Sequence, residues 1–296
     1  MKPLVYIIIL NWNGWQDSAE CVESVLKITY SNYRVLIVDN GSTNDSVKIL
    51  AKKFPNIEIL ETGKNLGYAG GNNRGIEKAI ANEAEYVFIL NNDTKVDKNF
   101  LQPLVQAMEG DKQIGITGGT VYYYDNPDVI HNMGGYTSLY TGNSQTFGLN
   151  ALDRGQFNNA KEVPQCCGGA MLIRASLIRE IGGFNEKFFI YYDEPDICFR
   201  TKKAGYKVTF APGSKIYHKI GRDSSRESGL SNFYGLRNRI WIERMYANKF
   251  QYFIFNLYLL FYLLPRILLG HIFHKRLHLL KIIFLAVWKG YFQNPW

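Results

Sequence analysis

The sequence predicts an α/β domain with a mostly parallel, twisted sheet flanked by helices, followed by an amphipathic helical region at the C-terminal end. Three observations predict it. Short runs rich in Val, Ile and Leu alternate with helix-length amphipathic stretches through the first 120 residues. That alternation builds parallel sheets with helices on both faces. Several of the runs are continuously apolar, as strands buried on both faces are. From Phe233 onward the pattern changes to Phe, Tyr, Leu and Ile mixed with nine Lys/Arg and a single acid, Glu243.

In order, "LVYIIIL" (4–10) reads as a strand and 17–29 as a helix. "YRVLIVD" (33–39) is a strand, and 43–53 a helix opened by Ser42 or Thr43, both good caps. "IEIL" (57–60) is a short strand, 72–82 a helix, "EYVFIL" (85–90) a strand, 98–109 a helix and "IGITGG" (114–119) a strand. Residues 120–165 are aromatic and rich in Gly and Asn without a period, which predicts loops and short strands. The 296 residues suffice for one large or two small domains. The expected division is a domain over 1–232 and a helical region over 233–296.

Ligands bind such sheets beyond the carboxyl ends of the strands. Three strands end in polar groups: Asn11 to Asn13, Asp39-Asn40 and Asn91 to Asp93. One such end is an ordinary turn, but three at one sheet edge predict a site. Asp39 precedes an Asn40-Gly41 turn and the Ser42-Thr43 cap, so its carboxylate serves either the cap or a nucleobase imide. "GKNLGYAGGNNRG" (63–75) has five glycines in thirteen residues and leads into a helix. It fits neither the dinucleotide nor the P-loop signature, and reads as a phosphate-approaching loop or a flexible surface loop. The densest acids are Asp193, Glu194 and Asp196. Like charges so close raise a pKa, which suits a general base. His218 closes the strand-like "KIYH".

The order "VDNGST", "NLGYAGGNN", "LNNDT", "GGFNEKFF.YYDEPD.CFR" and then "H" strongly resembles inverting family 2 glycosyltransferases of the GT-A fold, and bacterial rhamnosyltransferase-like members most closely. The resemblance runs from about residue 4 to 245 and implies a transferase acting on a nucleoside-diphosphate sugar. It implies Asp93 as the remaining carboxylate of the D-x-D position, since 91 and 92 are Asn, and His218 as a second ligand of Mg²⁺ or Mn²⁺. It implies Asp39 on the pyrimidine and Asn65, Gly67 and Asn72 beside the donor, with Asn11, Asn13, Asn92 and Gly169 completing that cleft. Glu194 matches the base that takes the acceptor's proton, with Asp193 its neighbour and fallback. Asp196 orients the helix or the acceptor. Arg237 and Arg239 hold phosphates or lie on an amphipathic helix. Two rivals stay open: a non-catalytic nucleotide-sugar-binding scaffold, and a sugar nucleotidyltransferase, whose basic Gly-rich signature "LNWNGWQDS" lacks.

The net charge of +8 resides wholly in the tail, because the first 232 residues hold 25 bases and 25 acids. A basic, apolar tail predicts an anionic membrane surface as partner rather than nucleic acid. "FQYFIFNLYLLFYLLP" (250–265) is uncharged, and Arg266 follows. A span needs about 20 apolar residues, so Pro265-Arg266 is expected to break the tail into two helices lying in the interface. The alternatives are a homo-oligomer face or a buried helical cap. No secretory signal precedes the first strand, and the four cysteines lack CxxC spacing. Both predict reduced, buried thiols in a cytoplasmic enzyme. With the tail, that places the chain at the cytoplasmic face of a bacterial inner membrane, working on a saccharide or lipid-linked acceptor.

Overall fold

A computed structural model describes residues 2–159, 161–219 and 229–296. The first half follows the expected alternation: β1 (Val5–Asn11), α1 (Trp15–Val25), β2 (Tyr33–Asp39), α2 (Ser46–Lys53), β3 (Glu58–Glu61), α3 (Gly67–Ala81), β4 (Tyr86–Asn91), β5 (Thr94–Val96), α4 (Leu101–Gly110) and β6 (Ile114–Tyr123). Short strands β7 (Ile130–Asn132), β8 (Gly135–Thr137), β9 (Ser144–Thr146) and β10 (Lys161–Glu162) cross the irregular middle. Then come β11 (Ala170–Arg174), α5 (Ala175–Ile181), a 3₁₀ turn at Glu186–Phe188, α6 (Asp193–Lys203) and β12 (Lys207–His218).

The main sheet runs β10-β12-β6-β11-β4-β1-β2-β3. β1 is parallel to both β2 and β4, β2 to β3, and β12 to β6. β11 is inserted antiparallel between β4 and β6. Strand residues alternate between two cores. Ile7, Ile9, Phe88 and Leu90 pack with α1 and α4, and Ile8, Val38, Val87 and Ile89 with α3, α5 and α6. Each fully buried Ile contributes about 1.5–3 kcal/mol relative to exposure.

The glycine-rich segment departs from expectation. α3 starts at Gly67, five residues before the expected 72, so its glycines lie inside a helix rather than in a loop. A Cβ on Gly71 would stand 2.5 Å from Leu10 Cδ1, and one on Gly75 2.7 Å from Ile8 Cγ2. The glycines let α3 sit directly on the sheet, a close approach worth the roughly 1 kcal/mol per residue of lost helix propensity.

α7 (Leu230–Tyr246) crosses the expected 232/233 division. Beyond it, α8 (Lys249–Tyr258), a π-turn (Leu259–Leu263) and α9 (Leu264–Phe273) form one continuous helix of 25 residues. The break expected at Pro265-Arg266 is therefore absent. Pro265 lies inside this helix, and the π-turn immediately before it accommodates the proline ring. α10 (Leu280–Phe292) then folds back, packing Ile283 and Ala286 against Leu236, Ile240, Phe255 and Leu259.

Candidate active site

The three polar strand ends do lie level at one edge of the sheet. Asn11 pairs in register with Asp39, and Leu10 with Asn91. Asp39 is buried and accepts from Asn11 Nδ2 (2.7 Å), Ser42 N (2.9 Å) and Ser42 Oγ (2.6 Å). Both readings of it survive, because a carboxylate has about four acceptor sites and three are used. Asn13, in the left-handed region at φ 57°, takes the Thr43 N–H on Oδ1 and donates its own N–H to Ser42 Oγ, both at 2.8 Å. Asn92 Nδ2 donates to Ser18 Oγ at 3.0 Å. These side chains brace the β1–α1 and β2–α2 loops around one cleft.

Asn65, exposed, accepts from Gly67 N (2.8 Å) and from Asn40 Nδ2 (3.2 Å). Asn72 is fully buried and donates to Tyr68 O (2.9 Å), while its Oδ1 has no hydrogen-bond partner among the described residues. Asn91 Oδ1 is likewise unpartnered, and Gly169 backs directly onto the Asn91 side chain.

The acids lie beside the end of β4, Glu194 against Gly168 and Asn91 against Gly169. Asp193 opens α6 and is buried, with Oδ2 unpartnered. Glu194 remains partly open to solvent and lies over Gly168, where any Cβ would collide with it. Gly168 O in turn accepts from Tyr68 OH at 3.0 Å. Burial, then the charge of Glu194, pushes the Asp193 carboxyl well above its ordinary value. Burial raises Glu194 too. Both carboxyls are thus raised together, and Glu194 is the one of the pair with solvent access.

The segment delivering this pair is strained. Phe189, Tyr191 and Tyr192 all have positive φ (66°, 67° and 66°), a conformation costing non-glycine residues about 1–3 kcal/mol each. α7 holds it in place. Arg237 Nη2 donates to Lys187 O (2.7 Å) and Phe188 O (3.1 Å), and Asn238 Nδ2 reaches Phe188 O, Ile190 O and Tyr191 O. Arg239 Nε donates to Tyr192 OH at 3.0 Å.

This corrects the expected phosphate role of Arg237. Its guanidinium is buried under Trp241, whose ring centroid lies 4.0 Å away, and burial lowers its pKa to about 10. Its contacts are carbonyls and aromatic faces. Asp196 is also committed to the fold: Oδ2 pairs with Arg200 (2.8 Å) and Oδ1 accepts from Tyr246 OH (2.6 Å). It orients α6 against α7, the helix-orienting half of its expected role.

His218 Nε2 lies 3.0 Å from Asp93 Oδ1, yet that oxygen is shielded from solvent and has no hydrogen-bond partner among the described residues. His131 stacks edge-on against His218, ring centroids 5.8 Å apart, and its Nδ1 is unpartnered as well. Burial keeps His131 neutral, with its pKa lowered to about 4. No cage of three or more His, Cys, Asp or Glu side chains forms among the described residues. A hard cation that keeps waters and substrate phosphates as ligands needs only one or two protein groups. An orphaned carboxylate oxygen beside an imidazole fits such an ion.

Several residues here were not singled out from the sequence: Tyr68, His131 and Asn238. Tyr68 stands inside "NLGYAGGNN" and Asn238 between two arginines, so each was within a flagged stretch. His131 lies in the irregular middle, where no periodicity pointed to it.

Comparison with known proteins identifies the family. The chain is 26% identical over 245 residues to the N-acetylglucosaminyl-diphospho-decaprenol L-rhamnosyltransferase of Mycobacterium tuberculosis, covering 77% of this chain and 80% of the relative. It is 26% identical over 243 residues to the low-salt glycan biosynthesis hexosyltransferase Agl10 of Haloferax volcanii, covering 79% and 73%. Among solved structures, GalNAc-T7 with UDP, GalNAc and Mn²⁺ superposes with a TM-score of 0.64 at 17% identity, over 79% of this chain. The matched part is about half (49%) of that larger chain, and the likeness is of fold, the GT-A type. A model for the N-terminal domain of galactosyltransferase matches residues 152–222, the stretch that carries the acids and His218. The model for glycosyl transferase family 2 matches residues 6–182, which takes in every strand end of the cleft, and the chain is a member of that family.

Proposed function

We propose that this glycosyltransferase moves a sugar, rhamnose-like, with inversion from a deoxythymidine or uridine diphosphate donor to a saccharide on a lipid carrier. The observation that carries the reading is the placement of the Asp193–Glu194 pair, one carboxyl buried and one partly open to solvent, beside the strand end that carries Asp93. The donor lies along the strand ends, with its pyrimidine at Asp39 and its diphosphate toward Asp93 and His218. Mg²⁺ or Mn²⁺, when bound there, would supply counter-charge to the departing diphosphate. Glu194 accepts the proton of the acceptor hydroxyl as that oxygen bonds to the anomeric carbon. The anomeric carbon–phosphate oxygen bond breaks with its electrons passing to the diphosphate, and a single displacement inverts the centre. The Mycobacterium tuberculosis relative, a rhamnosyltransferase by name, supports both the donor sugar and a lipid-diphosphate acceptor.

The tail suits the lipid end of that acceptor. Phe250, Phe253, Leu257, Leu260 and Phe261 are exposed and share one face at helical spacing, and only 11% of the most apolar 18-residue window of this helix is buried. The helix is long and apolar enough to cross a membrane. A crossing would require α10 to return, and at about 1.5 Å per residue its 13 residues reach only about 20 Å. It would also place Arg266 in hydrocarbon, at about 2.5–3.5 kcal/mol. A helical hairpin lying in the cytoplasmic interface meets neither cost.

The test is a transfer assay with purified chain, detergent-solubilised prenyl-diphosphate saccharide and a panel of nucleotide-sugars, with the anomeric configuration of the product read by NMR. Retained configuration sinks the displacement mechanism. Donor binding without transfer or donor hydrolysis on any combination would favour the scaffold.

A further inference from the structure

Directly behind the catalytic segment lies a cavity of about 410 Å³, walled by Tyr191, Tyr192 and Arg239 on one side and by Leu263, Ile267 and Ile283 of the tail on the other. It is far from the strand ends in composition: one wall is hydroxyls and a guanidinium, the other aliphatic. A second cavity of about 360 Å³ adjoins it, sharing Asn232, Leu263 and Ile267, and adds Arg266 and Arg276. The two form a groove running from the residues just before the base along the tail helix.

Arg239 is the informative group. Its Nε is used by Tyr192 OH, but its Nη1 is shielded from solvent and has no partner among the described residues. A buried, unpaired guanidinium nitrogen is costly. The nearby carboxylate does not resolve it. Glu243 is fully buried, neither of its oxygens has a hydrogen-bond partner among the described residues, and burial pushes its pKa to about 8, so it is mostly protonated at neutral pH. The cavity thus presents a guanidinium nitrogen with no hydrogen-bond partner among the described residues, at the mouth of an aliphatic channel.

We infer that this groove is the seat of the acceptor's lipid-diphosphate segment, with Arg239 contacting the diphosphate and Leu263, Ile267 and Ile283 packing the first carbons of the lipid. The order follows from the chain. Tyr191 and Tyr192 immediately precede Asp193-Glu194, so an anion at Arg239 sets a sugar attached to it toward the base. The apolar wall continues into the exposed face of α8 and α9, where the remainder of the lipid leaves the protein. The inference rests on the lipid-acceptor reading above, and adds the site that reads the carrier.

Farnesyl diphosphate is the probe, titrated into full-length protein in detergent without divalent metal, against farnesol and inorganic diphosphate. The expected result is that farnesyl diphosphate binds more tightly than either part. Arg239→Met should weaken it about 10- to 100-fold, the range for losing a charge-assisted hydrogen bond. Ile267→Asp, on the opposite wall and away from the catalytic segment, should weaken farnesyl diphosphate while leaving inorganic diphosphate unchanged. Unaltered farnesyl diphosphate affinity in both variants overturns the site, as does absence of binding to the native chain. Because the titration needs no turnover, its failure leaves the transfer reaction standing. Binding without transfer in the assay above would sink the reaction and keep the site.

Discussion

Asn238 Nδ2 donates to Tyr191 O at 2.8 Å, and the same amide lies 2.9 Å from Ile190 O and 3.0 Å from Phe188 O. Two hydrogens serve three carbonyls, inside a buried pocket, on a stretch whose backbone is left-handed at three of four residues. With Arg237 and Arg239, this side chain holds the segment that leads into Asp193-Glu194. Asn238→Ala should lower kcat at least about 10-fold while the donor KM stays near its native value, because the donor cleft is braced by other residues. A structural role alone would lower the fraction folded and leave kcat per folded molecule intact.

Glu194→Gln keeps the shape of the base and cannot accept a proton. Its kcat should fall at least about 10²-fold, with donor affinity unchanged by calorimetry. If Asp193→Asn is the inactive variant and Glu194→Gln turns over, the assignment within the pair is reversed.

The same pair sets a pH signature. Both carboxyls are raised by burial, so the deprotonated base appears at higher pH than for an ordinary Glu, and kcat should fall on acidification through a limb displaced upward. Burial is what raises Glu194, so the limb should stay displaced upward in Asp193→Asn. A pH–rate profile of the two proteins measures it. A limb that moves to lower pH would mean that the charge of Asp193, rather than burial, raises the base.

Asp93→Ala should abolish metal-dependent donor binding and leave the melting temperature within a few degrees, because the residue is half-exposed and its Oδ1 makes no hydrogen bond among the described residues. Donor titrations with and without Mn²⁺ check it. A metal-dependent affinity equal to that of the native chain removes Asp93 from the ligand set.

Glu243 supplies a stability test independent of activity. Its folded pKa of about 8 lies above the ordinary 4.5, so the folded chain holds a proton that the unfolded chain releases. That contribution is present in full below about pH 4.5 and is lost as pH rises to about 8. Glu243→Gln lacks the titration. Its denaturation midpoint should therefore gain on that of the native chain across this interval and hold a constant lead above it. Parallel curves would mean that Glu243 titrates normally.

The sequence made the left half of the sheet legible because each of its strands is a run of apolar residues ended by a polar one. β1, β2 and β4 came within one residue of their observed limits for that reason. What was not legible were features whose cause lies far along the chain. The antiparallel β11 is short and pairs with strands about 80 and 55 residues earlier, at Leu172↔Phe88 and Leu172↔Thr117. Gly71 looked like a loop residue because its use, contact with Leu10, exists only once α3 meets the sheet. Arg237 read as a phosphate ligand because its charge is visible in sequence, whereas Trp241 above it and the carbonyls of Lys187 and Phe188 are not. In the site, the carboxylates and His218 were legible as residue types at strand and helix ends. Asn238 was not, because an amide serving backbone carbonyls leaves no pattern.

The two-sidedness of α7 decides how this enzyme can be recombined with its relatives. Its Asn238 grips the catalytic segment, while Trp241 Nε1 and Arg244 Nη1 donate to Lys289 O and Gly290 O of the last helix. A chimera joined between α7 and α8 would pair one parent's helix with the other's tail, and every mismatch at Ile240 or Gly290 would be passed to the residues carrying the base. A joint placed before Leu230 moves helix and tail together but must preserve the three carbonyl contacts of Asn238. The exchangeable module is therefore larger than the tail helices, and the tail and the placement of the Asp193–Glu194 pair are inherited as one block.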